Sequence, residues 1–222
     1  MIDKSINKLE SIQENIKKLS VNNPLAPQII CVSKTFSINT IKPLIDYGHI
    51  HFGENKVQEA DEKWSEIRKI NNKIKLHMVG KLQSNKAKKA VEVFDFIHSL
   101  ENEKLAKILK KSEDALQKKL SYFIQVNIAK ETQKSGILPK DLNEFTHYCI
   151  NEAGLNVIGL MILPPFDVDP KRFFEETLLL NNKLGLKHLS MGMSADYKSA
   201  VKYKSTFVRI GSAIMGPRKV NQ

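Results

Sequence analysis

The stretch Ile29-Ile30-Cys31-Val32-Ser33-Lys34-Thr35 is apolar until it stops at a lysine. Consecutive apolar and β-branched side chains, without polar alternation, read as a strand buried on both faces, as in a parallel sheet covered by helices. Lys34 then stands where a central strand leaves the core. An amine held on a rigid strand end beside apolar surroundings loses hydration, and its pKa falls toward the range in which the free amine attacks an aldehyde. Schiff-base chemistry is the functional reading of this position. The structural reading is a lysine that caps a strand and extends its ammonium to water.

Upstream, Ile2, Ile6, Leu9, Ile12, Ile16 and Leu19 recur at spacings of three and four, the stripe of an amphipathic helix. Asn22-Asn23-Pro24 supplies the turn that ends it. Downstream of the strand at 29–33 the pattern alternates. It predicts helices over 39–47, 56–70, 85–91, 102–117, 139–152, 170–184 and 195–203, and strands over 49–53, 75–79, 94–99, 120–127, 156–163, 188–191 and 207–214. Eight strands separated by helices, with no run of hairpins, point to a parallel sheet, and eight is the number that closes a barrel. An open doubly wound sheet would carry a glycine-rich phosphate loop after its first strand, where this chain has Lys34-Thr35-Phe36. The expected fold is therefore α/β, a single (β/α)8 TIM barrel over 28–218 with an extra N-terminal helix over 1–20, one domain in 222 residues.

A chain of this length with 41% hydrophobic residues buries a large core. Its two cysteines, Cys31 and Cys149, make neither a disulfide framework nor a metal-ligand spacing, which points to a reducing compartment. No run approaches the ~18 apolar residues of a membrane span and no signal-peptide core is evident, so a soluble, cytoplasmic protein is expected. The net charge of +11 is spread over the predicted helices without an arginine-rich block, the pattern of a solvated surface and not of a nucleic-acid face.

Ligands of such a barrel bind at the C-terminal ends of its strands. Lys34 stands there after the first strand, Glu54-Asn55 after the second, His77 within the third and Asn127 after the fifth. Ser190-Met191-Gly192-Met193-Ser194 follows on the seventh and Arg209-Ile210-Gly211-Ser212 on the eighth. Small residues let backbone N–H groups approach an oxyanion, and Ser194 is placed to cap the next predicted helix. A phosphate site after strands seven and eight recurs in barrels, although turn and cap chemistry accounts for either patch alone. Arg209 interrupts an apolar run and cannot shed its charge, so it needs a partner, an internal carboxylate or a ligand. Together these residues describe a site for a phosphorylated aldehyde. His77, flanked by apolar residues, reads first as a satisfied core histidine. Gly80-Lys81-Leu82-Gln83-Ser84-Asn85-Lys86 either starts a helix or binds an anion. A single carboxylate at the strand ends gives little support for paired-carboxylate hydrolysis, and no metal cluster or nucleophile elbow is present.

Val32-Ser33-Lys34-Thr35, His51-Phe52-Gly53-Glu54-Asn55, His77 through Lys86, Gly159-Leu160-Met161, Leu189 through Ser194 and Val208-Arg209-Ile210-Gly211-Ser212-Ala213-Ile214 follow in one order. The chain thereby resembles the pyridoxal phosphate homeostasis protein family, the YggS/PROSC-type pyridoxal-phosphate-binding proteins, from about 28 to 218. The resemblance implies a barrel like the N-terminal domain of alanine racemase, with pyridoxal 5′-phosphate as a covalent aldimine on Lys34. By the same resemblance Arg209 faces the pyridine nitrogen, Ser194, Gly211 and Ser212 hold the phosphate, and Asn55 and His77 line the ring. It also implies a protein without catalytic turnover that keeps the cofactor pool balanced; a monomer is expected, with pyridoxal-phosphate-dependent apo-enzymes as recipients. Lys204 and Met215 depart from the family pattern, outside the implied site. The competing reading is a pyridoxal-phosphate-dependent amino-acid racemase. Racemisation needs acid/base groups on both faces of the substrate and an electron sink, which an arginine at the pyridine nitrogen weakens.

Overall fold

Strands apolar on both faces must be covered outside by helices and closed on themselves inside. The computed structural model, which describes residues 3–20 and 25–217, meets both demands. Eight parallel strands form a closed barrel in chain order: β1 (Gln28–Val32), β2 (His51–Glu54), β3 (Lys75–Met78), β4 (Phe96–Leu100), β5 (Ser121–Val126), β6 (Val157–Ile162), β7 (His188–Met193) and β8 (Phe207–Ile210). β8 closes on β1, with Gln28 opposite Phe207 and Ile30 opposite Arg209. The outer layer is α1 (Lys4–Leu19), α2 (Ile38–Asp46), α3 (Val57–Ile70), α4 (Ala87–Val93), α5 (Glu103–Leu116), α6 (Leu142–His147), α7 (Lys171–Lys183), α8 (Tyr197–Lys202) and α9 (Ser212–Met215). Ile2 of the N-terminal stripe and the turn at Asn22-Asn23-Pro24 lie outside the described residues.

The N-terminal helix has a structural task. The last barrel helix, α9, spans only four residues, too short to cover the seam between β8 and β1. α1 packs against α2, α8 and α9 and buries Leu9, Ile12 and Ile16, so it occupies the eighth place in the outer ring. Asp3 caps it, accepting the Ser5 N–H at 2.8 Å.

The eighth strand is shorter than the expected 207–214. It stops at Ile210, Gly211 turns the chain with φ −107° and ψ −86°, and Ser212–Met215 is helical. An apolar run as short as Ala213-Ile214-Met215 has no periodicity that separates strand from helix. The helix predicted over 139–152 begins later, at Leu142, and widens into a π-turn over Tyr148–Glu152. Between β6 and β7 the backbones meet so closely that a Cβ on Gly159 would lie 1.9 Å from the His188 carbonyl oxygen, which only glycine allows.

Two apolar clusters result. The larger fills the shell between sheet and helices, and the smaller, Ile30, Phe123, Met161 and Phe207, fills the barrel itself. The barrel interior also holds His77, His98, Ser190 and Arg209, all buried.

Candidate functional site

At the C-terminal mouth of the barrel a cavity of about 510 Å³ is lined by Lys34, Asn55, Ser194, Arg209, Gly211 and Ser212, with apolar walls from Val32, Phe36, Val79, Leu163 and Met193. Six of the seven residues expected at a ligand site thus share one cavity, in the size range of cofactor pockets. His77 does not line it. The ring lies one layer deeper, fully buried in the barrel and hydrogen-bonded to two other histidines. Asn127, also a strand-end residue, binds Glu131 and Lys134 backbone groups of its own loop.

Lys34 sits two residues beyond β1, in a turn closed by the Phe36 N–H on the Ser33 carbonyl at 3.2 Å. Thr35 holds a left-handed φ of 68°, a strained state for a β-branched residue. Helix α3 compensates. Its Glu59 accepts the Thr35 N–H at 2.6 Å, and its Lys63 Nζ donates to the Ser33 carbonyl at 3.0 Å. Burial works against the Glu59 charge, yet the Thr35 N–H and the Lys63 ammonium hold its carboxyl below the usual range.

Glu54 completes this clamp from behind. Strand β2 alternates, with His51 touching His77 inside the barrel and Phe52 packing on Trp64 outside, so Glu54 points outward to α3 and not into the mouth. Its Oε1 accepts from Ser33 Oγ at 2.8 Å, Lys63 Nζ at 3.0 Å and Trp64 Nε1 at 3.0 Å. Sequence reading placed Glu54 at a strand end but missed Glu59 and Lys63. Their i,i+4 spacing was the available signal, and it is shared by ordinary surface pairs.

Arg209 enters from β8 and spreads its guanidinium over the next two strands. Nη1 donates to the Ser190 carbonyl at 2.7 Å and to Ser190 Oγ at 2.6 Å, and Nη2 donates to the Ile162 carbonyl at 2.8 Å. These partners are neutral oxygens, so the buried charge is hydrogen-bonded without being neutralised. Burial pushes the guanidinium down to about 10, which leaves it charged at neutral pH. Among the described residues no carboxylate hydrogen-bonds or ion-pairs with Arg209; Asp196 supports its charge only from a longer range, and Arg209 lines the cavity.

Ser194 does not cap α8. That helix starts at Tyr197 behind Asp196, whose Oδ1 takes the Met193 N–H at 2.6 Å. Ser194 Oγ instead accepts the Gly211 N–H at 3.2 Å and the Ala213 N–H at 3.3 Å. Two backbone donors from the turn into α9 therefore converge on one oxygen at the cavity wall, an arrangement suited to an oxyanion. Gly192, with φ +93°, makes the bend that brings Ser194 there. Among the described residues no His/Cys/Asp/Glu group has the geometry of a metal site, and no helix is long and apolar enough to cross a membrane.

The profile of the alanine racemase N-terminal domain family matches residues 8–219. The pyridoxal phosphate homeostasis protein of Pasteurella multocida is 35% identical over 224 residues, covering 95% of this chain and 96% of that protein. The structure of PipY from Synechococcus elongatus with pyridoxal phosphate bound superposes with a TM-score of 0.81 at 32% identity, over 92% of this chain and 100% of PipY. Alanine racemase from Acinetobacter baumannii shares the fold alone, with a TM-score of 0.70 at 17% identity, over 96% of this chain and 61% of the racemase. The barrel, the mouth cavity with its lysine and arginine, and near full-length relatives place the chain in the pyridoxal phosphate homeostasis protein family, within the wider alanine racemase N-terminal domain class.

Proposed function

We propose that this chain holds pyridoxal 5′-phosphate at the barrel mouth and acts in its intracellular homeostasis as a carrier or regulator, with negligible catalytic turnover. One observation carries the reading. A single cavity gathers a lysine, a buried arginine without an acidic partner, and a corner where two backbone N–H groups converge on one oxygen. These groups fit an aldehyde, an electron-rich ring atom and a phosphate. When bound, the cofactor supplies a reactive carbonyl and an electron-withdrawing ring.

The residues divide the work. Lys34 supplies the amine for covalent attachment, and the clamp from Glu54, Glu59 and Lys63 keeps its turn in place. Ser194, Gly211 and Ser212 take the phosphate oxygens, and Asn55 borders the ring. Arg209 donates to the pyridine nitrogen. A guanidinium offers donors only, so it disfavours a protonated nitrogen and weakens the sink a carbanion needs. Lining the cavity, no tyrosine, cysteine, histidine or carboxylate joins Lys34 among the described residues. That supports a carrier over a racemase, which requires a second proton-transfer group. PipY, solved with pyridoxal phosphate, supports the ligand; apo-enzymes dependent on the cofactor are its proposed recipients.

The test is to load the purified chain with pyridoxal phosphate, reduce it with borohydride and locate the adduct by peptide mass. The adduct is expected on Lys34, and label scattered over surface lysines would refute the site. In parallel, the loaded chain is incubated with L-amino acids in deuterated water. α-Proton exchange at ~1 s⁻¹ or faster, within the ordinary enzyme range, would replace the carrier with an enzyme.

A further inference from the structure

A line of polar side chains crosses the barrel interior, where apolar layers are the rule. His51 Nδ1 lies 2.9 Å from His77 Nε2, His77 Nδ1 lies 3.0 Å from His98 Nε2, and His98 Nδ1 lies 2.8 Å from Ser190 Oγ. Ser190 Oγ then receives Arg209 Nη1 at 2.6 Å. The line begins at the opposite, N-terminal end of the barrel, where His49 and His51 border a small surface cavity with Gln28 and Tyr47, and ends at the guanidinium in the mouth. Phe96 stacks on His77 at 4.3 Å and Phe123 on His98 at 4.4 Å, while Phe207 touches all three imidazoles. His77 and His98 are therefore walled off from water, while His51 closes the line at the surface cavity.

Simple chemistry gives the line a direction. An arginine donates and never accepts, so Ser190 Oγ accepts from Arg209 and its own proton goes to His98 Nδ1. A neutral His98 that accepts at Nδ1 carries its proton on Nε2 and donates to His77 Nδ1. By the same step His77 donates from Nε2 to His51 Nδ1. Burial and the neighbouring cationic or imidazole groups hold His77 and His98 far below the usual histidine range, so both rings are neutral and each ring has one donor and one acceptor. Reversed, the line would set His98 Nδ1–H and Arg209 Nη1–H against the same oxygen and leave the serine proton without an acceptor, a costly state in a dry core.

We propose that Arg209, Ser190, His98, His77 and His51 form a polarised hydrogen-bond relay through the barrel, in which Ser190 and His98 are positioning residues for the Arg209 guanidinium. The second half of the statement rests on the reading of the mouth as a pyridoxal phosphate site. The first half does not. With its hydroxyl proton committed to His98, Ser190 presents a lone pair to Arg209, and Nη1 is held between this oxygen and the Ser190 carbonyl. The relay thus supplies a fixed orientation to a cation that has no carboxylate to orient it.

The full chain labelled with 15N-histidine tests this. Long-range 1H–15N spectra at neutral pH, assigned by contacts to the Phe96 and Phe123 rings, are expected to show His51, His77 and His98 protonated on Nε2 and bare on Nδ1. A proton on His98 Nδ1 would overturn the relay. Ser190→Ala removes one oxygen from a buried position; it should turn His98 into a mixture of tautomers and release pyridoxal phosphate about tenfold faster, the loss of one charge-assisted bond. Unchanged tautomers and unchanged retention in that variant would overturn the positioning role. A wild-type chain with the expected tautomers that takes up no pyridoxal phosphate would fail the cofactor reading alone. A chain that binds it with His98 protonated on Nδ1 would fail the relay alone.

Discussion

Arg209 shows at the residue scale why charge by itself does not define a site. Its fork spans two strands because Nη1 and Nη2 reach the Ser190 and Ile162 carbonyls at once. A lysine would keep the charge and lose the fork. Arg209→Lys is therefore expected to leave one buried carbonyl unsatisfied and to lower stability by about 1–3 kcal/mol, measured by urea unfolding. Equal stability of the two proteins would show that the fork is not what holds β6, β7 and β8 in register at the mouth. The position was conspicuous in the sequence as a charge inside Phe207-Val208-Arg209-Ile210. Its neutral partners were not, since backbone carbonyls leave no mark on a sequence.

Among the elements, α3 does more than cover the sheet. Lys63 joins Glu54, Glu59 and the Ser33 carbonyl, with only 9% of its side chain exposed and none of Glu54's. Removing one member of such a pair leaves an uncompensated buried charge. Lys63→Met is expected to cost about 3–5 kcal/mol, and adding Glu54→Gln should recover most of it, because the amide oxygen still accepts from Ser33 and Trp64 without a charge. A double-mutant cycle by denaturant unfolding checks this. Additive losses would mean that Lys63 acts on the Lys34 turn independently of Glu54. The amphipathic pattern of 56–70 was legible in the sequence; the direction of its polar residues was not, because the register of β2 decides which side of the barrel Glu54 faces.

For the whole molecule, buried neutral histidines set a pH limit. Burial pushes His49 down to about 4 and holds His77 and His98 well below their usual range. The unfolded chain binds protons at these histidines from about pH 6.5 downward, and the folded chain does not. Stability must therefore fall as pH drops below 6.5, by at most about 1.4 kcal/mol per pH unit for each such histidine, until the folded rings protonate, at about 4 for His49. Urea midpoints at pH 7.5, 6 and 5 are expected to descend in that order, and a profile flat from 7.5 to 5 would show that these rings are charged in the native protein.

Much of this protein is local in origin. The alternation of apolar runs and amphipathic stripes specified eight strands and their helices, because burial on both faces and a 3.6-residue stripe each leave a periodic trace. Lys34, Asn55, Ser194, Arg209, Gly211 and Ser212 could be named as strand-end residues for the same reason, since barrel closure brings all such ends to one mouth. Tertiary structure decided the rest. The apolar flanks of His77 already marked it as a core histidine, and the barrel interior chose its partners, His51 and His98, while the turn at Gly211 replaced half of the last strand by a helix. Closure also let α1 cover the seam that the four-residue α9 leaves open and recruited Glu59 and Lys63 to the Lys34 turn. Each of these depends on contacts between residues far apart in the chain, where periodicity carries no information and only the closed barrel brings the partners within hydrogen-bonding distance.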